Sequence, residues 1–426
     1  MNKSLLGSAA TYTGANLLSS LIPVLLIPVM TRILSPDDYG IVAIFNSAVA
    51  YLVVAVGLGV QGTIPIQYYR LPRPEVAQLV TACFLILGAS FLVVSLATLG
   101  WWTAISKHSN ISVSWMLTAS AVAAMQFVYL LRLSVLQAEK RSFDYALLQI
   151  FQSLSIPVIS IVLIVAWQLG WRGRILGAVI AYAILTVAAV IGLRRDGLLI
   201  GHTRGHHVRS ALHYGVTVLP HVLGGLTIAL SDQLLVGALL GTRAAGIFSV
   251  ALSAASAIQL VTIALNRAWA PWLYENLPAM EYPEKLRVAR YTYAYFIVLA
   301  MGAAGYGAVL PFLLKFMVGQ AFVSSGSMAL TLSLGFGFGG MYFAVTNYVF
   351  HVGATARLAL VTASSGVISI ILTYAMLKIF GFAGAGYGFA LSQLILFLNT
   401  WRLAQSVCPM PWAAALRSIG KRVKEA

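Results

Sequence analysis

Long apolar runs separated by short polar turns recur from one end of the chain to the other. They fall near residues 8–31, 40–64, 77–101, 112–136, 145–168, 174–193, 213–240, 245–266, 290–314, 327–350, 358–378 and 383–403. A helix needs about 20 residues to cross the hydrocarbon layer. Each run therefore predicts a membrane-spanning helix, twelve in all, and an even number puts both termini on one side. The opening segment MNKSLLGSAATYTGANLLSS carries one lysine and a polar, glycine-containing approach. It predicts an uncleaved signal anchor rather than a removable leader.

Composition agrees with the pattern. A chain that is 60% hydrophobic and 9% charged, with a mean hydropathy of +0.89, has more apolar surface than one soluble core can hide. The formal charge of +16 raises the question of a nucleic-acid partner, but the topology answers it first. Of the 27 Lys and Arg, 20 fall on the face that carries the termini and seven on the other. Cytoplasmic loops collect such cations, so both termini are expected in the cytoplasm and no nucleic acid is needed. The basic tail RSIGKRVKEA reads as an anchor at anionic headgroups. Two cysteines, Cys83 and Cys408, suggest neither a disulfide framework nor a metal cluster.

The chain also repeats itself. At an offset of 206, Leu34, Gly40, Ile41, Pro65 and Tyr68 fall on Leu240, Gly246, Ile247, Pro271 and Tyr274; at 211, Gly170, Gly173 and Gly177 fall on Gly381, Gly384 and Gly388. Because an even number of spans separates the copies, they run the same way through the membrane. The expectation is an all-α membrane protein of two parallel six-helix lobes, related by a pseudo-two-fold axis along the membrane normal. The lobes would cover residues 1–193 and 213–403, with a cytoplasmic connecting loop over 194–212 and a basic tail over 404–426.

IPVLLIPVMTRILSPDDYGIVAIFNS, the GLGVQGTIPIQYYR that follows, and SDQLLVGALLGTRAAGIFSVA resemble the Wzx-type polysaccharide flippases of the multidrug/oligosaccharidyl-lipid/polysaccharide exporter superfamily. The resemblance covers nearly the whole chain and rests on the order of degenerate motifs. It implies a V-shaped, two-lobed bundle in the bacterial inner membrane. The activity it implies is movement of an undecaprenyl-diphosphate-linked oligosaccharide to the outer leaflet by alternating access. The implied partners are that substrate, H⁺ or Na⁺ as coupling ion, membrane lipids, and the polymerase and other polysaccharide-assembly proteins of the pathway. No cofactor and no enzyme activity are implied.

Ionisable residues inside spans are costly and mark function by default. Asp232 lies eight residues before the outer end of its span, about 12 Å deep at 1.5 Å per residue. Its counterpart is Leu26, so the shared scaffold does not require a carboxylate; ion coupling and a structural hydrogen bond to a neighbouring helix both fit. Arg32, Arg132 and Arg267 are the candidate substrate-cavity cations, each with an interfacial anchor as the alternative. For Arg267, Trp269 and Trp272 favour the anchor. Pro23 and Pro28 in the first span, and Pro220, Gly224 and Gly225 in the seventh, interrupt corresponding helices and are expected to gate. Ser35-Pro36-Asp37-Asp38 reads as a capped helix start, with both acids facing the positive end of the helix dipole. His202, His206, His207 and His213 have no cysteine or carboxylate at ligand spacing, so they read as solvated and no metal site is expected.

No nucleotide-binding loop appears, which leaves an ion gradient or the supply and removal of substrate as the energy source. Two rival functions fit less well. A cation-coupled multidrug exporter calls for a cavity of carboxylates and aromatics. A membrane polymerase or glycosyltransferase calls for a sizeable outer loop with catalytic residues, and every outer connection is short.

Overall fold

The computed structural model describes residues 3–105 and 112–425; Lys107, counted above on the outer face, lies outside them. Among the described residues the ordered elements are helices. Eleven helical stretches are long and apolar enough to cross a membrane, and the chain is a multi-pass membrane protein. A twelfth stretch, Ala383–Val407, has the length but a more polar composition. By contacts the chain divides into two compact units, Met1–Leu223 and Gly224–Ala426.

The first unit contains α1 (Lys3–Ile33), α2 (Pro36–Gly57), the short α3 (Thr63–Gln67), α4 (Arg73–Ile105), α5 (Val113–Ala138), α6 (Ser142–Ala166) and α7 (Gly170–Arg195). At its centre α5 packs against α2, α4 and α7, while α6 joins α7 to α1. Phe127 of α5 is fully buried against Gly57, where a Cβ would come within 2.7 Å of its ring. In lipid, helices gain little from hiding apolar surface and associate through close packing, which small residues permit.

The second unit holds the later part of α8 (Gly205–Leu240), then α9 (Thr242–Ala255), α10 (Ala257–Asn276), α11 (Tyr282–Met317), α12 (Ala329–Val352), α13 (Thr355–Phe380), α14 (Ala383–Val407) and α15 (Trp412–Glu425). Here α12 is central, packed against α10, α11 and α14, and α14 packs against α13. The latter part of α8 lies on α13, so close that a Cβ on Gly224 would sit 2.8 Å from the Ala363 backbone. The neighbours of α5 and α12, of α7 and α14, and of α1 and α8 thus correspond, as the internal repeat requires. The repeat also reaches the backbone: Gly170 and Gly381 begin equivalent turns with φ of +53° and +57°, a region open to glycine. α15 docks on α11 through Trp412, Ala415 and a 2.8 Å hydrogen bond from Arg290 Nε to Ser418 Oγ.

Two boundaries differ from the hydropathy reading. The eighth span is split at Ser256 into α9 and α10, and it continues through Pro271 to Asn276. The connection expected over 194–212 is shorter, because α8 starts at Gly205. Its first turns, GHHVRSAL, are too polar to read as a span, yet they bury Ala211 and pack Val208 and Leu212 on the first unit's core. The division between the units falls within α8, between Leu223 and Gly224, beside Pro220, Gly224 and Gly225.

Candidate functional site

Asp232 sits on the face of α8 that meets α13 and is 1% exposed. One carboxylate oxygen accepts a hydrogen bond from the Thr373 hydroxyl of α13, and the other has no partner among the described residues. The same two helices carry further buried polar groups: Ser231 and Gln233, the chain neighbours of Asp232 on α8, and Ser369 and Ser365 one and two turns before Thr373 on α13. Residues four apart share a helix face, so Thr373, Ser369 and Ser365 form a ladder of hydroxyls. The ladder fits the helices because Gly224 and Gly366 bring them together; a Cβ on Gly366 would lie 3.1 Å from the Gly224 carbonyl oxygen. A buried carboxylate with one oxygen held by a neutral hydroxyl and the other without a partner among the described residues is suited to taking up a proton or a small hard cation.

The three arginines have different surroundings. Arg132 of α5 is 5% exposed. Its Nη1 donates to Asp196 Oδ2 at 2.6 Å, and Gly192 leaves room for the guanidinium, which would be 3.0 Å from a Cβ there. Asp196, at the end of α7, also accepts from Arg141 Nη1 at 2.8 Å; Arg141 in turn pairs with Glu139 and Asp144. Burial opposes ionisation of Asp196, but the Arg132 hydrogen bond and the two arginine charges outweigh it and hold the carboxyl below the usual carboxylate range. Arg132 is therefore the core of an ion cluster inside the first unit. Arg32 is exposed at the end of α1, directly before the cap in which Asp38 N donates to Ser35 Oγ at 3.1 Å and Ser35 Oγ donates to Asp38 Oδ2 at 2.9 Å.

Arg267 is exposed on α10. Its neighbours Asn266, Trp269 and Trp272, with Tyr291 and Tyr295 of α11, line a cavity of about 420 Å³ in the second unit. The ring centroids of Trp269 and Trp272 lie 5.0 Å apart, with the planes tilted by 31°. Asn266 Oδ1 accepts from Asn347 Nδ2 at 2.8 Å, and Tyr274 donates to Asn347 Oδ1 at 3.2 Å. In the sequence, Trp269 and Trp272 read as an interfacial belt beside Arg267. Their spacing along α10 was visible, but the α11 tyrosines that close the cavity were not.

The gating candidates also separate. Pro23, Pro28 and Pro220 are accommodated inside continuous helices. Gly224 is buried against α13, whereas Gly225 is exposed, with open space where a Cβ would stand. Arg174 of α7, one of the seven cations counted on the outer face, donates from Nη1 to Ser160 Oγ of α6 at 3.2 Å. The histidines are brought to a carboxylate that lies far off in sequence. The ring centroids of His206 and His207 lie 3.9 Å apart with the planes tilted by 41°, and together with Glu75 of α4 they place three possible donor atoms within 4.8 Å of one another.

The family described as polysaccharide biosynthesis protein matches residues 5–277. A protein of the Lsg locus of Haemophilus influenzae is 20% identical over 398 residues, covering 91% of this chain and 96% of the relative. Among solved structures, the lipid II flippase MurJ in an inward closed conformation is 12% identical with a TM-score of 0.71, over 92% of this chain and 87% of that one. An inward-facing multidrug resistance MATE family transporter of the MOP superfamily is 12% identical with a TM-score of 0.69, over 93% and 96%. At these identities the likeness is one of fold.

Proposed function

The chain belongs to the polysaccharide biosynthesis protein family, and we propose that it is a flippase, moving a lipid-linked oligosaccharide across the bacterial inner membrane by alternating access. A diphosphate and a sugar chain cannot enter hydrocarbon without replacing their water, so the protein must supply cations and polar groups while the prenyl tail stays in lipid. Arg32 and Arg267 are the cations we assign to that task, and Arg132 anchors the first unit through Asp196. The aromatic cavity beside Arg267 presents ring faces and an amide, a lining suited to uncharged sugar surfaces. The excess of Lys and Arg on one face supports cytoplasmic termini.

The observation that carries the energetic part of the reading is the buried Asp232, with one carboxylate oxygen held by Thr373 and the other open. On this reading Asp232 takes up H⁺ or Na⁺, and Pro220 and Gly225 let α8 bend as it does so. The test is translocation of a labelled lipid-linked oligosaccharide in proteoliposomes, with and without a proton or sodium gradient. Wild-type rates should rise with one of the gradients. Asp232→Asn keeps the Thr373 hydrogen bond and loses the charge, so its translocation should lose that dependence while its melting temperature holds. A gradient response that survives in Asp232→Asn removes Asp232 from coupling, and absence of any translocation by the wild type removes the flippase.

A further inference from the structure

We propose that Glu75, His206 and His207 form a binding site for a divalent transition-metal ion, Zn²⁺ foremost, at the point where the first turn of α8 meets the first turn of α4. Three observations on these residues converge there. One ligand atom from each of the three residues lies within 4.8 Å of the others. His207 is 2% exposed, and its Nε2 has no hydrogen-bond partner among the described residues. The ring centroids of His206 and His207 lie 3.9 Å apart, so both imidazoles can offer a nitrogen to one cation.

The backbone around the cluster is already fixed. Glu75, Gln78 and Thr81 follow one another at intervals of three along α4. Thr203 Oγ1 donates to the Gln78 carbonyl at 2.8 Å, Thr81 Oγ1 to the Ile200 carbonyl at 2.9 Å, and Ile200 N to Thr81 Oγ1 at 3.3 Å. The α7–α8 connection is thereby laid along α4 before any ligand arrives, so the backbone around the site is held in place and the ordering that binding requires is confined to the side chains. A tetrahedral metal with bonds of about 2.1 Å holds its donors roughly 3.4 Å apart. The cluster closes to that spacing by side-chain rotation, with the fourth position open to water. Two imidazoles and one carboxylate make a donor set that suits Zn²⁺ and excludes Mg²⁺ and Ca²⁺, which require oxygen ligands. The bound ion would clamp the start of α8, the helix in which Pro220, Gly224 and Gly225 lie.

The test is calorimetric titration of tag-free, full-length protein in detergent with Zn²⁺ alone, together with its melting temperature. The wild type should bind one Zn²⁺ per chain and melt higher with the ion than with a chelator. His206→Ala, at an exposed position that tolerates truncation, should weaken binding by about tenfold or more, as should Glu75→Gln. His202→Ala and His213→Ala should bind as the wild type does. Absence of Zn²⁺ binding by the wild type overturns the proposal, and so does unchanged affinity in His206→Ala. Neither result touches the flippase reading, which makes no use of this site.

Discussion

Asp196 holds two arginines at the end of α7, and one of them, Arg132, has a side chain only 6% exposed. Removing the carboxylate leaves that guanidinium buried without a counter-charge. Asp196→Ala should therefore cost about 3 kcal/mol of stability. The double variant Arg132→Met with Asp196→Ala should recover part of the loss, since no buried charge is then stranded. Unfolding in detergent reads both. The acid dependence has a defined sign. The folded carboxyl lies below its unfolded value of about 3.9, so its contribution is complete at neutral pH and disappears as pH falls below about 4 and through the folded value. Asp196→Ala should show a flatter acid limb than the wild type. Arg132 stood out in the sequence as a cation inside an apolar run. Its partner did not, because Asp196 follows a basic pair at a helix end and reads as a solvated loop acid; only the packing of α5 on α7 unites them. The same limit hid Glu75 from His206 and His207.

At the scale of elements, hydropathy located the eleven long apolar helical stretches found among the described residues, because length and apolar content are properties of consecutive residues. It misjudged ends wherever a helix leaves the apolar run, as α8 does before residue 213 and α11 before residue 290. It also could not tell two adjacent glycines apart. Gly224 touches α13 and Gly225 faces open space, although both read as breaks in the seventh span. Their substitutions should diverge. Gly224→Ala pushes a Cβ into backbone at Ala363 and should cost about 1–3 kcal/mol, as overpacking does. Gly225→Ala meets nothing and gains about 1 kcal/mol of helix preference, so its melting temperature should hold or rise. If α8 bends at Gly225 during transport, the stiffer variant should translocate more slowly while remaining the better folded of the two. Thermal unfolding and the proteoliposome assay, run on the same preparations, separate the effects.

At the scale of the whole chain, the two units reuse one helix arrangement and differ in the charge they place against one hydroxyl. In the first unit Gly177 of α7 packs on Ser160 of α6; in the second, Gly388 of α14 packs on Thr373 of α13. The glycines were visible as a repeat at an offset of 211. The hydroxyls were not, since they are Ser in one copy and Thr in the other and their offset is 213. What each hydroxyl meets is opposite in sign: Arg174 donates to Ser160, and Asp232 accepts from Thr373. The two units thus share the glycine-on-hydroxyl contact and differ in the charge beside it. Two equivalent substitutions test whether the difference is functional. A Cβ on Gly177 would come within 2.8 Å of Ser160 Cα, and one on Gly388 within 2.8 Å of Thr373 Cα. Gly177→Ala and Gly388→Ala should therefore destabilise to a similar extent, about 1–3 kcal/mol each by overpacking. Displacing Thr373 also disturbs the hydrogen bond to Asp232, whereas displacing Ser160 leaves Asp232 untouched. Gly388→Ala should consequently weaken the gradient dependence of translocation and Gly177→Ala should preserve it, even where their melting temperatures match. Equal gradient responses in the two variants would mean that the carboxylate's hydroxyl partner is structural only, and would return Thr373 to the role that Ser160 plays in the other unit.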